Sequence, residues 1–553
     1  MLNTSNAPVA VLTVSAIILV SAWVWRSWFQ PSSSAKAAAH AADKLAIIAA
    51  THKRLKALPP PADYIVRLAG TLPPGRVVLP QDAPEAFLKA MDVHFAMQSR
   101  EIELEPACIV QPRIIDELSL TIKHITKEHT LRSTHPTAGP HKGLFAVRCT
   151  GANPAEGIAG VKDGILVDLS KLDSIALSAD QSLLTVGGGC TWSSVYDFLD
   201  PLNLTVVGGR AHQVGVGGST LGGGISFYSG HYGLMCSNVV SYKVVLADGL
   251  ITTASEDTNT DLWRALKGGA NNFGVVAEFV LRVYPGGPVW NNFTITPSFM
   301  TSSVLRAYYD HGIAAEKPEH FDPNVSTPIL CFAFAPDIGL AFWCTQLFYT
   351  VFPDSSHQNE NQPTASSVHD KSWPAYWKRS PLGKLWGYPM IRSETVTHGQ
   401  KVRDLGSMSP PDLRNMYVVT GFKLDLPTLH RATDIFNRAR TKLKVLTPGG
   451  TAFCMIFQTL NPRWMNKGEP NVLGLDSETA SIVILELCCN WANAKHDVLV
   501  KGVMQQAISE IEAASVALGS AHPYRFANYA AAWQRPLNGY GEENGHFLRE
   551  TNL

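Results

Sequence analysis

The stretch that most constrains the fold is residues 206–233, VVGGRAHQVGVGGSTLGGGISFYSGHYG, with glycine at 208, 209, 215, 217, 218, 222, 223, 224, 230 and 233. Backbone without a Cβ takes positive φ easily and comes close to a ligand. Its N–H groups can then line an anion or a flat ring. A flexible linker is the bland alternative. Linkers, however, lack the apolar residues that stand between these glycines: Val206, Val207, Val214, Val216, Leu221, Ile225 and Phe227. The stretch reads as a buried cradle for a ligand.

The chain around it has 553 residues, room for two or three domains. Hydrophobic residues make up 45% and charged residues 17%, which fits a globular protein with a large core. The formal net charge of zero leaves no basic excess, so nucleic acid is not expected as a partner. The nine cysteines stand singly except for Cys488-Cys489. With no CxxC and no ligand-spaced Cys/His group, no metal site is expected. The odd count leaves at least one free thiol.

Residues 7–25, APVAVLTVSAIILVSAWVW, carry no charge and approach the ~20 residues that cross a bilayer as a helix. Trp23, Trp25 and Trp28 beside Arg26 suit a membrane interface. The expectation is a single-pass membrane protein with an N-terminal transmembrane helix. A secreted protein with a cleaved signal peptide is the alternative, although no Lys or Arg precedes the run and the cleavage site is poor. The side of the membrane stays open. Lys36, Lys44, Lys53, Arg54 and Lys56 follow the run, which favours a cytosolic body. The acceptor triplets at Asn203, Asn292 and Asn324, which make a glycoprotein expectation, matter only in a lumen.

Along the chain, the Ala-rich segment 31–58 favours helix and is closed by Pro59-Pro60-Pro61. Residues 62–105 read as an irregular lead-in. A strand in PACIVQP, a helix in RIIDELSLTIKHITKEH and a strand at 144–148 follow. Strands at 164–170 and 182–189 precede a helix at 191–203. A hairpin over 241–254 turns at Asp248-Gly249, a helix spans 261–269, and a long strand spans 271–285. Beyond 287, ILCFAFAP, GLAFWCTQLFYTVF, GTAFCMIFQTL and SIVILELCCNW read as strands of one sheet. VLRAYYDHGIAA, HRATDIFNRARTKL and residues 498–518 read as helices, and 354–372 as a surface loop. The doubly wound nucleotide fingerprint GxGxxG, between a strand and a helix, is absent, as is a P-loop.

The ordered blocks FAVR, GILVDLSKLDSI, LLTVGGGCTWSSVYDFLDPLNLTVVGGR, VGVGGSTLGGGISF, YGLMCSNVVSYKVVLADG and DLWRALKGGANNFGVV resemble the FAD-binding domain of the vanillyl-alcohol-oxidase superfamily. The nearest branch is the fungal berberine-bridge-enzyme-like oxidoreductases. The resemblance extends to FQTLN…NVLGLD and to a tail with NYA…YGEEN…FLR. It implies an α+β fold: a two-subdomain PCMH-type FAD-binding domain and an antiparallel-sheet substrate domain. The domains expected are a membrane anchor (1–30), a helical stalk and lead-in (31–105), the FAD-binding domain (106–286), the substrate domain (287–500) and a C-terminal segment returning to the FAD domain (501–553). The implied activity is two-electron oxidation of a small secondary metabolite with FAD as cofactor and oxygen as reoxidant. A flavin-fold cyclase, with FAD mainly structural, is the alternative.

The cofactor contacts implied are Arg148, Gly151, Ala152, Asn153, Gly208, Gly209, Gly215, Gly217, Gly218, Gly222, Gly223, Asn238, Val239, Gly269, Asn272, Gly274, Val276 and Asn528. Two departures from the family matter. Ala152 stands where relatives carry a flavin-linked histidine, and Ala211 where bicovalent relatives carry a cysteine. Alanine has no nucleophile, so FAD is expected without covalent attachment. In the tail, Phe526 replaces a tyrosine often given a role with the substrate proton. The catalytic candidates are therefore Tyr232 and His231 in HYGL, Tyr529 in the tail, and Glu486. Glu486 sits in an apolar strand, where an unpaired carboxylate is costly and its pKa is expected to rise.

Overall fold

In the computed structural model the described residues are 49–91, 104–134, 144–336, 339–352, 372–407, 413–446 and 451–551. The apolar run 7–25 lies outside them, as do most of the Ala-rich segment and nearly all of the loop 354–372. Among the described residues no helix is long and apolar enough to cross a membrane.

The first sheet has four strands, β1 (Val77–Val78), β2 (Cys108–Val110), β3 (Phe145–Arg148) and β4 (Ile165–Asp168), in the order β1-β2-β4-β3. β4 pairs in parallel with both β2 and β3. The helix Ile115–Ser133 buries Leu118, Ile122 and Ile125 against this sheet. The lead-in is not irregular. It folds into helices Asp63–Thr71 and Pro84–Met91, and Leu55 and Phe87 pack with Ile109, Ala146 and Leu166. This lead-in thus packs onto the first sheet. Its apolar positions are spaced for short helices, and the strand joining them has only two residues.

The second sheet contains β5 (Ile175–Leu177), β6 (Leu183–Gly187), β8 (Val239–Val245), β9 (Ile251–Ser255) and β10 (Val275–Pro285), in the order β5-β6-β10-β8-β9. β7 (Leu204–Val206) pairs with the end of β10. The β8–β9 hairpin turns where expected, with Gly249 at φ +86° and the Asp248 carboxylate accepting from the Leu250 N–H at 2.8 Å. The glycine stretch leaves β7, forms the short helices Val216–Leu221 and Ser229–Tyr232, and enters β8.

The third sheet is antiparallel and has eight strands. It comprises β11 (Val289–Pro297), β12 (Val325–Ala335), β13 (Leu340–Thr350), β14 (Tyr388–Val396), β15 (Arg414–Lys423), β16 (Thr451–Leu460), β17 (Ile482–Trp491) and β18 (Ala521–His522). The order is β14-β11-β13-β12-β16-β17-β15-β18. Side chains alternate between faces along each strand. One face presents Phe332, Trp343, Met455, Phe457, Leu485 and Leu487, each at most 1% exposed, to helices Thr301–Ala315, Leu426–Leu446 and Asp497–Ala517. The domain boundary expected at 501 cuts the last of these helices. The C-terminal segment after β18 does return to the FAD-binding unit, with Tyr524, Phe526, Tyr540 and Leu548 packed into its core.

The opposite sheet face meets the FAD-binding unit, with Phe348, Val419, Leu460, Ile482 and Ile484 packed into its core. Cys331, Tyr417, Cys454, Ile456 and Cys488 are half-buried there. Register puts Glu486 on this face between Ile456 and Val419, and Cys488 between Cys454 and Tyr417.

Candidate active site

The Glu486 face of the third sheet meets the glycine stretch, and one residue links the two. Arg210 directly follows Gly208-Gly209, and its Nη2 donates to the Oε1 of Gln458 on β16. Gln458 Nε2 in turn donates to the Tyr529 hydroxyl at 3.3 Å. The Arg210 guanidinium also lies against that hydroxyl and within the field of Glu486. Three distant parts of the chain, the glycine stretch, the sheet and the tail, therefore meet at Arg210, Gln458, Glu486 and Tyr529.

The electrostatics follow from burial. Glu486 is 5% exposed, and desolvation pushes its carboxyl from 4.5 up to about 8, with Arg210 pulling the other way. Burial raises the Tyr529 hydroxyl first, with Glu486 adding and Arg210 opposing. Tyr417 rises well above its usual range for the same main reason. Arg210 itself is shifted down by burial, yet a guanidinium stays charged in a protein.

Of the catalytic candidates from the sequence, Glu486 and Tyr529 belong to this cluster, and Tyr232 and His231 do not. Tyr232 stacks on Tyr284 at 3.7 Å between ring centroids, 13° from parallel. Ring packing against β10 accounts for its place. His231 Nε2 lies 3.0 Å from Asn324 Oδ1 at the start of β12, and its ring meets Phe352 edge-on. It ties the two units together. The residues that sequence reasoning missed are Arg210 and Gln458. The signal for Gln458 was its place two residues beyond Ile456 in the alternating strand FQTLN. Arg210 had none beyond its position beside two glycines.

The expected cofactor positions separate into those that face the cleft and those that serve packing. Gly151 has φ +68°, and half-buried Ala152 and Asn153 follow it. Asn153 Nδ2 donates to the Asn528 carbonyl at 3.4 Å, and Asn528 Nδ2 donates to the Ser219 carbonyl at 3.0 Å. A Cβ on Gly215 would collide with Cys149 Sγ, and one on Gly222 with the Asn528 side chain. Gly217 sits close to the Gly188 carbonyl, and Gly223, at φ +104°, packs against Leu473. Gly208 and Gly209 lie flat against the Trp192 indole, so their lack of a side chain admits a ring of the protein itself. Arg148 is 1% exposed and pairs with Asp168 at 3.4 Å inside the first sheet. Asn238 caps Tyr232 and Leu234 through their carbonyls and receives the Tyr284 hydroxyl, all within the core. Val239 and Val276 are buried strand residues. Asn272 donates to the Gly269 carbonyl at 2.7 Å and shapes the turn into Gly274, whose φ is +126°. Asn292, one of the three acceptor triplets, is 2% exposed and donates to the carbonyls of Ile391 and Arg392, so the folded chain hides it from glycosylation.

Residues 106–255 match a family model described as an FAD binding domain. An FAD-dependent monooxygenase of Fusarium proliferatum (strain ET1) is 30% identical over 84% of this chain and 84% of its own. One from Cercospora beticola is 35% identical over 85% of this chain and 84% of its own. The chain is an FAD-linked oxidoreductase of the vanillyl-alcohol-oxidase superfamily. Solved structures agree on the fold. The 6-hydroxy-D-nicotine oxidase from Arthrobacter nicotinovorans covers 87% of this chain and 94% of its own, at a TM-score of 0.64 and 17% identity. The berberine bridge enzyme from Eschscholzia californica covers 88% and 95%, at 0.63 and 14%.

The residues present fit FAD. Gly218 is exposed and has no atom within 4 Å of where a Cβ would stand, amid glycines that are otherwise tightly packed. Thr220 Oγ1 in the same short helix is buried without a hydrogen-bond partner. Ala152, Asn153 and residues 210–214 are half-buried, not sealed in the core. A close-packed domain that leaves such backbone open has room for a flat ligand.

Proposed function

We propose that this enzyme carries out a two-electron oxidation of a small organic molecule, in the cleft between the glycine stretch and the open face of the third sheet. The observation that carries this reading is the meeting of Arg210, Gln458, Glu486 and Tyr529 on that face. When bound, FAD supplies the two-electron acceptor, and oxygen takes the electrons onward. Glu486 is the proton acceptor: its carboxylate takes the O–H or N–H proton of the substrate while the substrate C–H bond breaks. Arg210 offers positive charge to the oxygen that loses the proton. Tyr529, held by Gln458, orients that oxygen by a hydrogen bond. The methyl groups of Ala152 and Ala211 offer no covalent anchor, so FAD is held by contacts alone.

A second reading comes from the relatives, which are named FAD-dependent monooxygenases. Turnover under ¹⁸O₂ separates the two. Oxidation leaves the product unlabelled and yields hydrogen peroxide one-for-one, whereas monooxygenation puts one labelled oxygen into the product. Turnover without oxygen consumption overturns both and points to a cyclase. Residues 7–25 serve, in the same reading, as a single membrane anchor. The full chain should then need detergent for extraction from membranes, and a chain starting at residue 49 should not.

A further inference from the structure

One corner of the molecule carries charge of a single sign. Residues 378–392 read KRSPLGKLWGYPMIR and hold Lys378, Arg379, Lys384 and Arg392 with no acidic residue, in a chain whose 46 basic and 46 acidic residues cancel. All four cations are exposed, and none forms an ion pair with a described residue. The segment is tightly folded, which keeps the charges close together. The helix Ala375–Arg379 ends where the Ser380 N–H donates to the Tyr376 carbonyl at 3.0 Å, and the Lys384 N–H donates to the Ser380 carbonyl at 3.2 Å. The chain then enters β14, the edge strand of the third sheet. Three aromatic rings stand out of the same corner. Phe299 is 72% exposed, Trp386 54% and Tyr388 44%. The Trp386 carbonyl accepts from Thr296 Oγ1 at 3.1 Å, and Tyr388 lies opposite Ile295 on β11, so Phe299, just beyond the end of β11, shares one rim with them.

Exposed apolar side chains are ordinary when scattered singly. Exposed rings interleaved with unpaired cations suit one surface in particular, the boundary of an anionic bilayer, where acidic headgroups neutralise the charges and the rings leave water. The chain as a whole lacks the basic excess of a nucleic-acid binder. We propose that this corner rests on the anionic headgroup surface of a membrane, with Phe299, Trp386 and Tyr388 at headgroup depth and Lys378, Arg379 and Lys384 on the acidic headgroups. The contact is peripheral, separate from any insertion of residues 7–25, and it does not depend on the oxidoreductase reading. It sets the third sheet beside the phase in which an apolar metabolite collects.

The test is backbone hydrogen–deuterium exchange of the full-length holoprotein with vesicles of phosphatidylcholine alone and of phosphatidylcholine mixed with phosphatidylserine. This readout is local, so it reports on the corner whether or not residues 7–25 also insert. Peptides covering 296–300 and 378–392 should be protected by the serine-containing vesicles and not by phosphatidylcholine alone, and strong salt should remove the protection. Together Lys378→Gln, Arg379→Gln and Lys384→Gln should raise the lipid concentration needed for half protection at least about tenfold. Phe299→Ala with Trp386→Ala should raise it as well, with the cations intact. All five side chains are exposed, and the flavin absorbance of each variant checks that it stays folded. No protection, equal protection by both vesicle types, or protection that survives the three glutamines each overturns the proposal. Protection that appears without lipid and grows with protein concentration would assign the corner to a second copy of the chain instead. Heparin alone giving the same protection would show that any polyanion suffices, and would overturn the membrane as its partner.

Discussion

On β17, between the side chains of Ile456 and Val419, the Glu486 carboxyl has Arg210 as its one charged neighbour among the described residues, and burial moves its titration from 4.5 to about 8. A carboxyl whose folded pKa lies above its unfolded value contributes stability below the unfolded value, and that contribution is lost as pH rises through the folded one. The window is therefore about pH 4.5 to 8. Thermal unfolding measured across it should show the wild type losing stability toward the alkaline end relative to Glu486→Gln, which has no proton to lose. Parallel curves for the two proteins would mean that Glu486 titrates normally. The carboxylate in an apolar strand was visible in the sequence, and so was its expected shift. Arg210 and Gln458 were not, because their meeting depends on the register of β16 with β17 and on a loop that lies far away in the chain.

The glycine stretch and the C-terminal segment act as one element. Asn528 touches both rims, donating to the Ser219 carbonyl and accepting from Asn153, and a Cβ on Gly222 would drive into its side chain. Gly222→Ala should therefore lower the FAD bound per chain, read from the visible absorbance of the purified protein, with little change in far-UV circular dichroism. Retention of full FAD content would show that the tail does not help to hold the cofactor. On the far side of the third sheet, Phe436 is fully buried and stacks on Phe453 at 4.4 Å. Phe436→Ala should cost about 3–5 kcal/mol by chemical denaturation, because the packed helix cannot close over the lost ring. Its FAD content should stay near that of the wild type, since the helix covers the face away from the cleft. The continuous apolar strands β12, β13, β16 and β17 were legible as a sheet. β14 was not, since most of this edge strand is half-exposed and shows no period. β11 was hidden by buried Asn291 and Asn292, whose polar side chains are satisfied by β14. The short helices of the lead-in were masked by their prolines and glycines.

At the scale of the molecule, the FAD-binding unit and the third sheet share a core, in which Phe348, Val419, Leu460 and Ile484 pack with Trp192, Val206 and Phe227, and the chain crosses between the two units more than once. The tail that follows β18 leaves the substrate sheet and packs Tyr540 into the FAD-binding unit, where its hydroxyl donates to the Gly268 carbonyl at 3.2 Å. Blockwise likeness in the sequence made this arrangement readable, because ordered motifs mark both the cradle and the returning tail. The packing of residues 55–91 onto the first sheet was not readable, since they join it through scattered apolar contacts. We propose that this cradle holds FAD by shape and contacts, with Ala152 and Ala211 in place of covalent anchors. Acid precipitation of the purified protein tests it most directly. The yellow, fluorescent flavin should move entirely into the supernatant as intact FAD. Colour that stays with the precipitated protein would contradict it.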